Sequence, residues 1–85
     1  MNNSICDKDH RFLENLRDLP ESQRPEDGRH KCAGCAYEKG LEDGISRDAA
    51  VIDFDDLPYS QAGTVRHKSC QAAYDKGYQE GSLLP

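Results

Sequence analysis

A segment that recurs 37 residues further along the chain constrains the fold most. Residues 29–44 match residues 66–81 at eight of sixteen positions, and both segments begin with Arg-His-Lys. A second match joins residues 18–23 to residues 56–61 at five of six positions, in a register of 38. Chance agreement of this extent in an 85-residue chain is improbable. The sequence therefore predicts an internal duplication, with repeats at residues 9–44 and 47–81.

Each repeat carries small residues at four-residue steps, which is the spacing of one helix face. The stripes are Ala36, Gly40 and Gly44 in the first repeat and Ala73, Gly77 and Gly81 in the second. Glycine weakens a helix, but small side chains allow the backbone of another helix to come close. We therefore expect one helix from Lys31 or Cys32 to Gly44 and another from Lys68 to Glu80, packed through these stripes.

An additional helix is expected at the start of each repeat. Apolar residues at helical spacing predict the first of them, from Asp9 to the residue before Pro20: Phe12, Leu13, Leu16 and Leu19. Residues 47–57 are ambiguous, since Val51, Ile52 and Phe54 favour a strand, but the match to the first repeat favours a helix. The predicted fold is a small, mostly α zinc-binding domain spanning residues 1–85. It consists of a duplicated helix-loop-helix unit with a local pseudo-twofold.

The composition indicates that the core is too thin to stabilise the chain alone. Hydrophobic residues make up 35% of the chain, and the mean hydropathy is −0.92. Domains of this size often need a disulfide or a metal ion in addition to the core. The first residues contain no apolar stretch typical of a signal peptide, and a Cys-x-x-Cys motif outside secreted proteins favours metal binding or redox chemistry. We therefore expect a cytoplasmic protein with a structural metal.

Two short motifs supply the predicted ligands for one zinc ion per chain. Cys32 and Cys35 form one pair at three-residue spacing, and His67 and Cys70 form the other. Four thiolate or imidazole donors are typical of a closed structural zinc site. The two ligand pairs are 35 residues apart, whereas the repeats are 37 residues apart. His30, which matches His67 in the repeat, is therefore a substitute candidate ligand. Two alternatives stay open: buried cysteines without a metal, or redox chemistry at Cys-x-x-Cys.

Cys6 and His10 form a further candidate pair. They stand four residues apart and could hold a second ion. Two ligands do not close a zinc site, so the sequence does not favour this pair.

The two Arg-His-Lys triplets are candidate anion sites. Arg29, Lys31, Arg66 and Lys68 precede predicted helix starts, where phosphate groups bind readily. The alternative is that they are solvated turn residues. The net charge of −5 disfavours nucleic acid as the partner, because nucleic-acid affinity comes mainly from phosphate neutralisation.

The function that these patterns favour is a non-catalytic structural-zinc protein that binds another protein. A nucleic-acid-binding zinc module that uses the two triplets is the alternative. A metallonuclease-like enzyme fragment ranks third, since the chain lacks a His-Asn-His pattern. No apolar run reaches membrane-spanning length, so no membrane partner is expected.

Overall fold

The computed structural model describes residues 4–8, 10, 14–22, 24–61 and 63–84. These residues contain two α-helices, α1 (Ala33–Ser46) and α2 (Cys70–Ser82). Four short 3₁₀ helices accompany them: Glu14–Leu16, Pro25–Asp27, Phe54–Asp56 and Thr64–His67. Neither α-helix has the length and apolar character needed to cross a membrane, and the same holds for the other helices in the described ranges.

Both α-helices begin close to the positions that the sequence predicts. α2 is capped by the Ser69 hydroxyl, which accepts a hydrogen bond from the Ala72 N–H at 3.1 Å; such a cap satisfies one of the free N–H groups of the first turn. α1 starts after Cys32, whose backbone is extended. It ends at Ser46, and the next residue, Arg47, has a left-handed backbone with φ of 57° that turns the chain away.

The small faces of α1 and α2 pack directly against each other. A Cβ atom added to Gly40 would lie 2.1 Å from the Tyr74 carbonyl oxygen, and one added to Gly44 would lie 2.3 Å from that of Tyr78. One turn forward on α1 therefore matches one turn forward on α2, which means that the helices run parallel. Gly77 and Gly81 make the reciprocal contacts with α1. Contacts this close are possible only because these positions carry no side chain.

Polar groups at the helix interface also pair across it. Tyr74 donates a hydrogen bond to buried Asp43 at 2.6 Å, which holds the pKa of that carboxyl below its usual range. Lys39 forms an ion pair with Asp43 at 3.2 Å. The same contacts recur at a spacing of 37 residues: the Tyr37 hydroxyl donates to Glu80, and Lys76 forms an ion pair with Glu80.

Each Leu-Pro turn packs against the start of the more distant helix. The Cys32 N–H donates to the Pro58 carbonyl at 2.8 Å, and the Ser69 N–H donates to the Pro20 carbonyl at 2.9 Å. These crossed contacts tie the first half of the chain to the second. They enclose a core whose largest fully buried side chains include Tyr74, Leu16 and Val65.

The predicted helix over residues 47–57 is wrong. Only Phe54–Asp56 is helical there, as a 3₁₀ turn that Asp53 caps by accepting from the Asp55 N–H. The preceding residues cross α2, where the Tyr78 hydroxyl donates to the Asp48 carbonyl. The Tyr74 hydroxyl, whose proton is donated to Asp43, also lies 3.4 Å from the Val51 carbonyl oxygen. These tertiary contacts engage carbonyl groups that a helix would use internally.

The predicted helix from Asp9 to Leu19 is present only as the 3₁₀ turn Glu14–Leu16 within the described residues. Asp9, Phe12 and Leu13 lie outside them. Leu16 is fully buried and Leu19 packs on the core, as their apolar character predicts. Each half of the described chain therefore contributes one α-helix rather than two.

Candidate metal centre

A segment near the N-terminus brings Cys6 and His10 to the start of α1. Ile5 pairs with Tyr59 as an isolated parallel bridge. The Cys6 N–H donates to the Tyr59 carbonyl, and the Tyr59 N–H donates to the Ser4 carbonyl, both at 2.8 Å. The Gln61 side chain also donates to the Cys6 carbonyl. Backbone pairing with the second half of the chain therefore fixes the position of Cys6.

Two further thiols, those of Cys32 and Cys35, lie at the start of α1. Cys32 precedes the helix, and Cys35 lies in its first turn, so their three-residue spacing directs both sulfur atoms to one side. Gly34 between them leaves room for His10, since a Cβ atom there would lie 2.5 Å from the His10 Cβ. The helix start and the imidazole can be in contact because position 34 is glycine.

Cys6, His10, Cys32 and Cys35 form a group that could hold a metal ion. Their donor atoms all lie within 4.8 Å of one another. The His10 Nδ1 atom is 3.5 Å from each of the three Sγ atoms, and the Cys6 and Cys35 Sγ atoms are 3.6 Å apart. A tetrahedral ion with bonds of about 2.3 Å to sulfur and about 2.0 Å to nitrogen spaces its donors about 3.5–3.8 Å apart. These four of the six donor separations match the edges of such a tetrahedron.

Glu38 orients the imidazole from its other side. The His10 Nε2 atom is 3.1 Å from a Glu38 carboxylate oxygen, and Lys8 forms an ion pair with the same carboxylate at 3.2 Å. A proton on Nε2 directs the lone pair of Nδ1 toward the three thiols. A carboxylate that fixes the tautomer of a ligating histidine is a common second layer of metal sites.

The thiols of the group are electrostatically unequal. A hydrogen bond from Cys35 lowers the pKa of Cys32 to about 5. The contact with Cys32, together with burial, raises the pKa of Cys35 well above its usual range, and burial raises that of Cys6. A metal ion requires all of these thiols as thiolates, so its binding would release protons.

The structure brings together two of the four zinc ligands that the sequence predicts. Cys32 and Cys35 belong to the group, whereas His67 and Cys70 lie elsewhere. Cys70 is fully buried in the core, where its Sγ atom lies 3.5 Å and 3.4 Å from the carbonyl oxygens of Gly28 and Lys31.

His30, the substitute ligand, also lies outside the group. Its ring packs edge-on against that of His67, with 5.5 Å between the centroids. The residues that sequence reasoning ranked too low are Cys6 and His10. Their four-residue spacing was the available signal. They join the Cys-x-x-Cys motif in one group instead of forming a separate site for a second ion.

The lysines of the two Arg-His-Lys triplets point into the protein. Lys31 is buried and donates to the Leu57 carbonyl at 2.9 Å. Lys68 is buried and donates to the carbonyls of Arg17 and Leu19, at 2.7 Å and 3.0 Å. These ammonium groups are engaged with backbone oxygens of the turns. Arg29 stays exposed and Arg66 is half-buried.

Comparisons with protein-family models, curated proteins and solved structures found no match to this chain.

Proposed function

We propose that this chain is a small non-catalytic zinc protein, in which one zinc ion ties the N-terminal segment to the helix pair. The observation that carries the proposal is the grouping of Cys6, His10, Cys32 and Cys35, in which four of the six donor separations match a zinc tetrahedron. Three thiolates and one imidazole form a donor set that zinc prefers in structural sites. Carboxylate- or water-rich sites, by contrast, suit magnesium or calcium.

The zinc has a structural role in this proposal because four protein donors fill its coordination sphere. A catalytic zinc keeps one position open for water or substrate, and the third alternative, a metallonuclease-like enzyme, would need such a position. A thin core provides the reason for a structural ion. Cysteines that form no disulfide are typical of reducing compartments, which supports the cytoplasmic location that we propose.

We further propose that the domain arose by tandem duplication. The glycine contacts and the tyrosine–carboxylate pairs recur at a spacing of 37 residues, which supports this origin. The metal site would then use the Cys-x-x-Cys motif of one copy alone, since Ser69 and Ala72 stand where the first copy has Cys32 and Cys35.

Native mass spectrometry of freshly purified protein tests the zinc proposal. We expect one zinc ion per chain, which is lost on treatment with a strong chelator. The measured mass identifies the metal, so iron or copper would be distinguished from zinc. A metal-free chain that gives a narrow, folded charge-state distribution would contradict the proposal.

The role that we propose for the zinc-stabilised domain is binding to another protein. The parallel packing places the C-terminal ends of both helices together, and exposed apolar residues lie at these two ends: Ile45, Leu83 and Leu84. Exposed apolar residues in a small protein are typical of interaction surfaces when they are contiguous. The charge of −5 and the engaged Lys31 and Lys68 give less support to nucleic acid as the partner.

Fluorescence anisotropy with a mixed-sequence DNA duplex at low ionic strength separates these two roles. We expect no binding, because the two buried lysines cannot reach phosphate groups. Binding that weakens steeply with salt, and that disappears in the Arg29→Glu/Arg66→Glu double variant, would assign the protein to the nucleic-acid alternative instead.

A further inference from the structure

A surface cavity of about 310 Å³ lies against one edge of the metal centre. It is lined by residues 4–8 together with Cys35 and Pro58. Two of the four donor residues, Cys6 and Cys35, therefore form part of its wall, whereas Cys32 and His10 do not. Among the described residues, the edge between Cys6 and Cys35 is therefore a side of the group that a small molecule can approach.

Among the four cysteines, all of which the structure describes, the cysteine with the greatest exposure is one that lines the cavity. Cys35 is half-buried, and Cys6, Cys32 and Cys70 are buried. The Cys6 and Cys35 Sγ atoms are 3.6 Å apart, so a disulfide between them needs only a small approach of the two sulfur atoms. Susceptibility of a cysteine to oxidation follows its thiolate character and its exposure. Cys35 combines both when a metal holds it as a thiolate.

From this arrangement we infer that Cys35 and Cys6 form a peroxide-reactive modification site, whose oxidation expels the zinc ion. The inference rests on the proposed zinc site and adds a reaction to it. Hydrogen peroxide has ample room in the cavity beside Cys35. Lys8 lines the same cavity, where its ammonium group forms an ion pair with Glu38.

The reaction has two steps. The Cys35 thiolate attacks one peroxide oxygen, the O–O bond breaks, and a Cys35 sulfenic acid and hydroxide form. The Cys6 thiolate then attacks the Cys35 sulfur, the S–O bond breaks, and a disulfide and a second hydroxide form. Two protons convert the hydroxides to water. The two thiolates lose two electrons, one peroxide is reduced to two waters, and zinc loses two of its four ligands.

The test treats the full-length, zinc-loaded chain with hydrogen peroxide while a colorimetric zinc indicator reports release. Zinc content is measured before treatment, and disulfides are mapped afterwards by peptide mass spectrometry. We expect release of the bound zinc together with a Cys6–Cys35 disulfide, and recovery of zinc binding after reduction. The Cys70→Ala variant, which lacks the core thiol, should release zinc in the same way.

The other outcomes distinguish failure of the proposed function from failure of the oxidation inference. Absence of zinc before treatment would overturn the proposed function, and this inference with it. Zinc that is present and retained under peroxide would overturn the inference alone, and so would a Cys32–Cys35 disulfide. The Cys35→His variant keeps a nitrogen donor and should resist release. If that variant does not fold, limited alkylation of the wild-type chain serves instead, and modification of Cys32 or Cys70 before Cys35 would overturn the inference.

Discussion

Replacing Gly40 with alanine is expected to destabilise the protein strongly, although alanine is the better helix former. Helix propensity alone predicts a gain of about 1 kcal/mol from this change. The new Cβ atom, however, would lie 2.1 Å from the Tyr74 carbonyl oxygen and 2.9 Å from the Tyr78 backbone nitrogen. Backbone atoms cannot rotate away as a side chain can, so α1 and α2 must separate along their whole contact.

The steric cost decides the sign of this prediction. Overpacking a core costs about 1–3 kcal/mol and occasionally more, and a helix pair that packs through its backbones lies at the upper end. A net loss of about 2 kcal/mol lowers the melting temperature of a domain of this size by roughly 8–16 °C. Thermal and urea unfolding followed by far-UV circular dichroism measures the loss.

Two further variants separate packing from propensity. Gly77→Ala should cause a comparable loss, because its Cβ atom would lie 2.1 Å from the Tyr37 carbonyl oxygen. Gln79→Ala changes an exposed residue of the same helix to alanine and should leave stability nearly unchanged. If Gly40→Ala instead raised the melting temperature, the close parallel packing of α1 and α2 would be wrong.

The sequence predicts this helix pair well because the information is local and occurs twice. Small residues at four-residue steps place glycine on one face of each helix, and the recurrence at 37 residues supplies each helix with a matching face. The start of α2 is equally local, since the hydroxyl of Ser69 caps the turn that follows it. Periodicity and capping need no knowledge of the rest of the fold.

The failed prediction at residues 47–57 has the opposite cause. The repeat suggests a helix there, but Tyr78 of α2 donates to the Asp48 carbonyl, and the Tyr74 hydroxyl lies 3.4 Å from the Val51 carbonyl oxygen. These contacts hold the chain outside helical geometry. Those tyrosines are far from the segment in sequence. Their contacts with the segment become apparent only when the position of α2 is known.

The candidate metal centre shows how far the repeat can mislead. It directs attention to the second copy for the partners of Cys32 and Cys35, and so to His67 and Cys70. The structure instead brings Cys6 and His10, which precede both well-matched segments, to the same helix start. That placement depends on the backbone pairing of Ile5 with Tyr59, a contact over more than fifty residues that no local pattern indicates.

Replacing Cys6 with serine is therefore expected to abolish zinc binding and, with it, the folded state. A serine hydroxyl is a poor zinc ligand compared with a thiolate, and three remaining donors leave the coordination sphere open. The apparent binding free energy of a structural zinc is about 10–16 kcal/mol, which is as large as the whole stability of a typical domain, about 5–15 kcal/mol. Without the ion, the thin core should be unable to stabilise the folded state. Native mass spectrometry reports the zinc content, and far-UV circular dichroism reports the folding of the same sample.

The matched control is the same substitution at Cys70. Cys70 lies in the core, and its Sγ atom is in contact with the carbonyl oxygens of Gly28 and Lys31. A serine hydroxyl can donate to either oxygen, so Cys70→Ser should keep the full zinc content with a modest loss of stability. The two substitutions remove the same atom type from two buried sites, so any difference in zinc content identifies the ligand. If Cys70→Ser lost zinc while Cys6→Ser retained it, the ligand set would be Cys32, Cys35, His67 and Cys70, and the N-terminal segment would have to be placed differently.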